Sequence, residues 1–212
     1  MQHRIALALA FALTASTAAM AHPHVFVIVK TDILFAPDGK IAGIRHAWTF
    51  DEFYSAFALQ GLGTDGQLPT REQLQPLAKI NVESMGEFGF FTNAKGGGKG
   101  LEFDAPKDYW LDAAADKSVT QHFTLPLKEP ASAAKAFVVM VYDPTYFVSF
   151  DFDEAAPVGL IGAPKGCSAK VTKPPPLLAA ESKTLSESFF SGLSPGDGYG
   201  IKLASRIVVA CP

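Results

Sequence analysis

The residues best able to do chemistry are His22-Pro23-His24. Chain cleavage just before them would leave His22 with a free amine and a ring nitrogen able to chelate together, and His24 would add a third nitrogen. Imidazole and amine nitrogens suit zinc, nickel, cobalt or copper and serve magnesium and calcium poorly. The square-planar amino-terminal copper and nickel trap needs a deprotonated amide at the second residue. Pro23 has none, so further ligands must come from the fold.

The residues before His22 make that cleavage an expectation. Met1–Arg4 is a polar start with one Arg, Ile5–Leu13 is an unbroken apolar run, and Ala19-Met20-Ala21 is a small-residue cleavage site. The run falls short of the ~20 residues of a membrane span. Residues 1–21 therefore read as a signal peptide and 22–212 as a single periplasmic domain. Export gives Cys167 and Cys211 an oxidising compartment, and a disulfide between them is expected.

The other candidate ligands depend on a hairpin. Val25–Phe35 reads as a strand with Val25, Val27, Val29, Ile33 and Phe35 on one face; Ile41–Phe50 returns with Ile44, His46, Trp48 and Phe50 on one face. Pro37-Asp38-Gly39 turns between them. A bulged turn there pairs Phe26 with Phe50, Ile28 with Trp48 and Lys30 with His46. Extended one step, His24 falls opposite Glu52 and beside Asp51, while His46 lies roughly 20 Å away at about 3.3 Å per residue. Asp51 and Glu52 are thus candidate oxygen ligands or partners that orient a histidine, and Asp51 is also a helix cap. His46, on an apolar face, reads as a core histidine. His122 lies in a strand that register alone cannot place and is retained as a further candidate ligand. Asp143 reads as a turn residue.

Beyond the hairpin, helices are expected at Glu52–Gln60 and from Thr70 to about Ser84, with a third at Ser182–Phe190. Strand character returns from Glu87 through Phe88, Phe90 and Phe91. Lys95–Gly100 is a glycine-rich hairpin tip. Further strands are expected at Val119–Leu127, Ala136–Tyr142, Tyr146–Phe152 and Ile201–Ala210, and Lys173–Pro176 is a stiff linker. The sum is an α+β fold, mainly antiparallel β-sheet or sandwich, with two or three helices.

Composition narrows the function classes. A net charge of −3 argues against a nucleic-acid partner, and 48% hydrophobic residues, including 17 Phe, support a packed core. No G-x-S-x-G elbow or dinucleotide fingerprint is present, so the chain does not read as an enzyme.

The motifs His22-Pro23-His24-Val25-Phe26, Trp48-Thr49-Phe50-Asp51-Glu52-Phe53-Tyr54-Ser55 and Tyr142-Asp143-Pro144-Thr145-Tyr146-Phe147, with an exported start and an end near Cys211, resemble the exported bacterial domain-of-unknown-function family 1007 across the mature chain. That resemblance implies a periplasmic component of an ABC-type transport system, linked with nickel/cobalt-type membrane transporters. The expectation is a periplasmic accessory protein that binds a divalent transition metal (zinc, nickel, cobalt or copper) and partners an inner-membrane metal transporter without itself spanning the membrane. The alternatives are a copper-dependent redox protein with an N-terminal histidine brace, and a structural transporter partner that binds no metal.

Overall fold

The computed structural model describes residues 23–63, 67–176, 192 and 198–212. The expected helix at Ser182–Phe190 and His22 itself lie outside them. The element order is β1 (Val25–Phe35), β2 (Ile41–Phe50), α1 (Glu52–Ala58), α2 (Arg71–Met85), a 3-10 turn (Gly86–Phe91), β3 (Thr92–Gly96), β4 (Lys99–Gly100), β5 (Lys107–Ala113), β6 (Val119–Ala131), β7 (Phe137–Val141), β8 (Val148–Phe152), β9 (Val158–Ile161), β10 (Ser168–Thr172), α3 (Gly200–Leu203) and β11 (Arg206–Ala210). The α+β class is as expected from the sequence.

Two sheets form the body. A six-stranded sheet runs β5-β6-β2-β1-β8, with β9 also pairing β1, and a five-stranded sheet runs β10-β11-β7-β3-β4. Pairing is antiparallel except along β1, whose first half takes β8 and second half β9 in parallel. The inner faces meet in one core: Val27, Val29, Ile33, Ile44, Trp48, Phe123 and Leu125 from the first sheet pack with Phe137, Val139, Val141, Ile207 and Val209 from the second. Trp48 sits among aromatic rings, edge-on to Phe123 at 4.8 Å and tilted against Phe150 at 4.8 Å.

Helix α2 buries Leu74, Ala78, Val82 and Met85, a stripe at helical spacing. Its first turns cover Leu111 and Val119 in a second cluster, and its last two buried residues join the main core. The helix starts with a capping box between Thr70 and Gln73, satisfying two otherwise orphaned N–H groups. Cys167 and Cys211 are joined by a disulfide, which fastens the end of β11 beside β10.

Several boundaries differ from the sequence expectation. Phe88–Phe91 is not strand: it belongs to the 3-10 turn, and β3 begins only at Thr92. The last strand starts at Arg206 because Gly200–Leu203 forms α3. Strands β5, β9 and β10 were not anticipated.

The hairpin register also shifts. At the tip, Gly39 takes φ 78 and Phe35 pairs with Ile41, as the turn residues dictate. Leu34 then pairs with Gly43, so Ala42 is an extra residue in β2. Every pair beyond the bulge moves by one, giving Val29 opposite Trp48 and Val27 opposite Phe50. Gly43 is needed at this bulge, because a Cβ there would stand 2.8 Å from the Leu125 carbonyl oxygen.

Candidate functional site

The open end of the hairpin holds His24 and Asp51. The His24 amide donates to the Phe147 carbonyl at 2.9 Å, and its ring packs against the Phe147 ring with centroids 4.7 Å apart. The imidazole is exposed at the start of β1. Asp51 is built into the backbone. Its amide donates to the Phe26 carbonyl at 2.9 Å, its Oδ2 accepts from the Phe26 amide at 2.7 Å, and its Oδ1 caps α1 through the Tyr54 amide at 2.9 Å. The register shift places Asp51 opposite Phe26 on the β2 side of β1, while on the other side His24 meets Phe147, the residue just before β8.

Glu52 is exposed and borders a surface depression with Asp116, Lys117 and Ser118, on the β6 side of β2 and away from β1. His122 is also distant. It pairs with Ala47, which pairs with Lys30, six residues along β1 from His24 or roughly 20 Å at strand rise. The structure therefore joins Asp51 to the end of β1 and brings neither Glu52 nor His122 to His24. Among the described residues no three His, Cys, Asp or Glu side chains group closely enough to hold a metal ion.

His122 belongs to a cluster that the sequence reading missed. Asp112 is its hub: Oδ1 accepts from Arg71 Nη2 at 2.8 Å, Oδ2 accepts from Trp110 Nε1 at 2.8 Å, and His122 Nε2 stands 3.3 Å from Oδ2. The Trp110 and His122 rings stack with centroids 4.5 Å apart, and the Arg71 guanidinium lies 4.9 Å over Trp110. Burial would raise the Asp112 carboxyl, but the hydrogen bonds from Trp110 and Arg71 outweigh it and hold the group below the usual carboxylate range. Burial pushes His122 below its ordinary value; Asp112 opposes this, and Arg71 and Arg45 add to it. The Trp110-Leu111-Asp112 alternation was a usable sign that Trp110 and Asp112 share a strand face.

His46 is a core residue, as its apolar face suggested. It is fully buried between the sheets, with Nδ1 3.0 Å from Thr31 Oγ1 and Nε2 3.2 Å from Thr92 Oγ1. Thr92 spends its hydroxyl proton on the Phe90 carbonyl at 2.8 Å, so Nε2 is the protonated nitrogen and Nδ1 accepts from Thr31. Burial drives its pKa down to about 3. Asp143 is a buried turn residue: Oδ1 accepts from the Thr145 amide and hydroxyl at 2.8 Å, and Oδ2 accepts from the Val148 amide at 3.0 Å.

A cavity of about 400 Å³ opens between β1, β2, α2 and β8, beside His24. Trp48, Phe50, Phe91 and Phe150 line it, Phe88 and Phe147 stand partly exposed at its mouth, and no charged side chain borders it. Tyr54 and Asn81 supply polar lining, with the Tyr54 hydroxyl facing the Asn81 side chain.

A two-sheet α+β body, fastened by one disulfide and carrying an exposed histidine at the start of its first strand, is the class that these features define. The chain belongs to the family described as "Protein of unknown function (DUF1007)", whose model matches residues 7–211. It is similar to an uncharacterized protein of Haemophilus influenzae, 24% identical over 195 residues, which are 91% of this chain and 92% of that protein.

Proposed function

We propose that this is an exported protein that binds a divalent transition metal ion at its processed N-terminus and passes it to or from an inner-membrane transporter. The observation that carries the reading is the contrast between two histidines. His46 is fully buried in the core between Thr31 and Thr92, whereas His24 is exposed where the chain enters β1. Its backbone is held by Phe147, and the strand just beyond it is clamped by Asp51. His22, two residues upstream in the sequence, supplies the amine and second ring once the signal is removed. Zinc, nickel, cobalt and copper all accept such nitrogen ligands. Export is supported by the apolar run and the Ala19-Met20-Ala21 site, and the disulfide fits an oxidising compartment. Among the described residues no helix is long and apolar enough to cross a membrane.

The test is calorimetric titration of periplasm-purified protein with zinc and nickel, after intact mass has established a chain starting at His22. His24→Ala loses most of the affinity and His46→Ala keeps it. An added residue ahead of His22 also weakens binding, because it converts the amine to an amide. Equal affinity in wild type and His24→Ala refutes the proposal.

A further inference from the structure

The apolar cavity is separate from the metal proposal and asks for a different ligand. The hollow of about 400 Å³ next to Trp48 opens to solvent, yet its lining is almost wholly apolar. Its size falls within the ~300–1,000 Å³ range of small-molecule sites. Its lining is specific in chemistry. Val25, Val27, Met85 and Val148 add to the aromatic wall, and the polar groups are Tyr54, Asn81 and Ser84. A metal ion or a multiply charged solute would find no counter-charge there.

The backbone at both lips is independently unusual. Phe90 and Phe91 have φ of 54 and 48, and Tyr146 has φ of 58, all in the left-handed region that aromatic side chains rarely adopt. This geometry sits on either side of the mouth, next to Phe88 and to Phe147. Strain of this kind persists only where the surrounding structure enforces it, and it gathers at ligand clamps. Trp48, one wall of the hollow, also keeps a buried Nε1–H with no hydrogen-bond partner among the described residues, so the aromatic wall is maintained at a polar cost.

We propose that this cavity binds one small, uncharged, largely hydrocarbon molecule carrying a single hydroxyl or aryl amine group. The hydrocarbon occupies the aromatic hollow and the polar group meets Tyr54 and Asn81. At the ~30 Å³ of a water-sized unit, the space admits about a dozen heavy atoms. The polar end is linked onward: Asn81 Nδ2 donates to Gln121 Oε1 at 3.4 Å, and Gln121 Nε2 donates to the Trp110 and His122 carbonyls. Tyr54 and Asn81 are thereby tied to the sheet and keep a fixed place for the ligand's polar group.

The probe is 1-aminonaphthalene, neutral at pH 7, small enough for the hollow and fluorescent in apolar surroundings, titrated into the processed protein with 1-decanol as competitor. Saturable binding of one probe per chain, displaced by decanol, is expected. Ser84 is exposed on α2, so Ser84→Trp plugs the hollow without touching the core and weakens binding about tenfold or more. Phe53→Ala, on the exposed face of α1, leaves binding unchanged. The chain has two tryptophans, so the Trp110→Phe variant reports Trp48 alone, and bound probe quenches its emission by energy transfer. Absence of saturable binding by folded wild type, the same affinity in Ser84→Trp, or undiminished Trp48 emission in the saturated Trp110→Phe variant each overturns the proposal.

Discussion

His46 makes the fold acid-sensitive by an amount that can be worked out in advance. Its ring is fully buried between the sheets, and burial lowers its pKa from the ordinary 6.5 to about 3. Neutral imidazole is what the site accommodates, with Nε2–H donating to Thr92 and Nδ1 accepting from Thr31. The unfolded chain has no such preference and protonates as pH drops below 6.5. Between 6.5 and about 3 the unfolded state therefore binds the extra proton, and stability falls as pH falls. At pH 7 the effect is nearly absent. At pH 5 the unfolded ring is protonated and the folded ring is not, which costs about 2 kcal/mol from this one group. His46→Gln removes the titration while keeping a donor for Thr92 and an acceptor for Thr31. It costs about 1–3 kcal/mol at pH 7 through lost packing on Trp48 and Phe123. The assay is urea unfolding of both proteins at pH 7, 6 and 5. Other titrating groups cancel in the comparison, and wild type loses about 2 kcal/mol more than the variant between pH 7 and 5. Parallel pH profiles, or an NMR titration of the buried ring near 6.5, refute the tautomer and the burial argument together.

Four other outcomes are expected. Reducing the Cys167–Cys211 bond, which closes a loop of sequence separation 44, lowers stability by about 4 kcal/mol in urea unfolding, and a thiol assay on denatured, unreduced protein finds no free thiol. Asp51→Ala loses the cap on α1 and the acceptor for Phe26, costing about 2 kcal/mol by thermal unfolding, while Asp51→Asn retains part of it. Gly43→Ala drives a Cβ against the Leu125 carbonyl and destabilises by about 1–3 kcal/mol, measured the same way. By NMR, His122 titrates below the ordinary histidine value; Asp112→Asn lowers it further by removing the opposing anion, and Arg71→Gln raises it.

Much of the fold was legible because it rests on local rules. The alternation in Val25–Phe35 and Ile41–Phe50, the Thr70–Gln73 cap and the Pro37–Gly39 turn each name their element from side-chain chemistry alone. The strands that escaped notice are short, half-exposed and lacking a clear apolar face. Ser168–Thr172 alternates between exposed and half-buried positions, and it is a strand because β11 and the disulfide hold it in place. Phe88–Phe91 misled in the opposite direction. Its aromatic content signals β, but Gly89 with Phe90 and Phe91 takes left-handed backbone, and the Phe88 and Phe91 rings line a cavity instead of a pleat.

The site was less legible, and the reason is one residue. Turn chemistry sets the register at the hairpin tip, and there the expected pairing of Phe35 with Ile41 is present. Carried to the open end, that register faces Phe26 with Phe50. Phe26 is on the outer side of β1, with Val25, Val27 and Val29 inside, whereas Phe50 shares the inner side of β2 with Trp48 and His46. The two apolar faces would then lie on opposite sides of one sheet. A slip of one residue is the smallest change that brings both inward, and Ala42 supplies it beside Gly43, where the backbone of β6 comes close. The conflict between turn and faces was already contained in the alternation of the two strands, and burial decided it. The consequence falls on the histidine end: Asp51 meets Phe26, Glu52 turns toward β6, and His24 is left against Phe147 at the lip of the aromatic cavity.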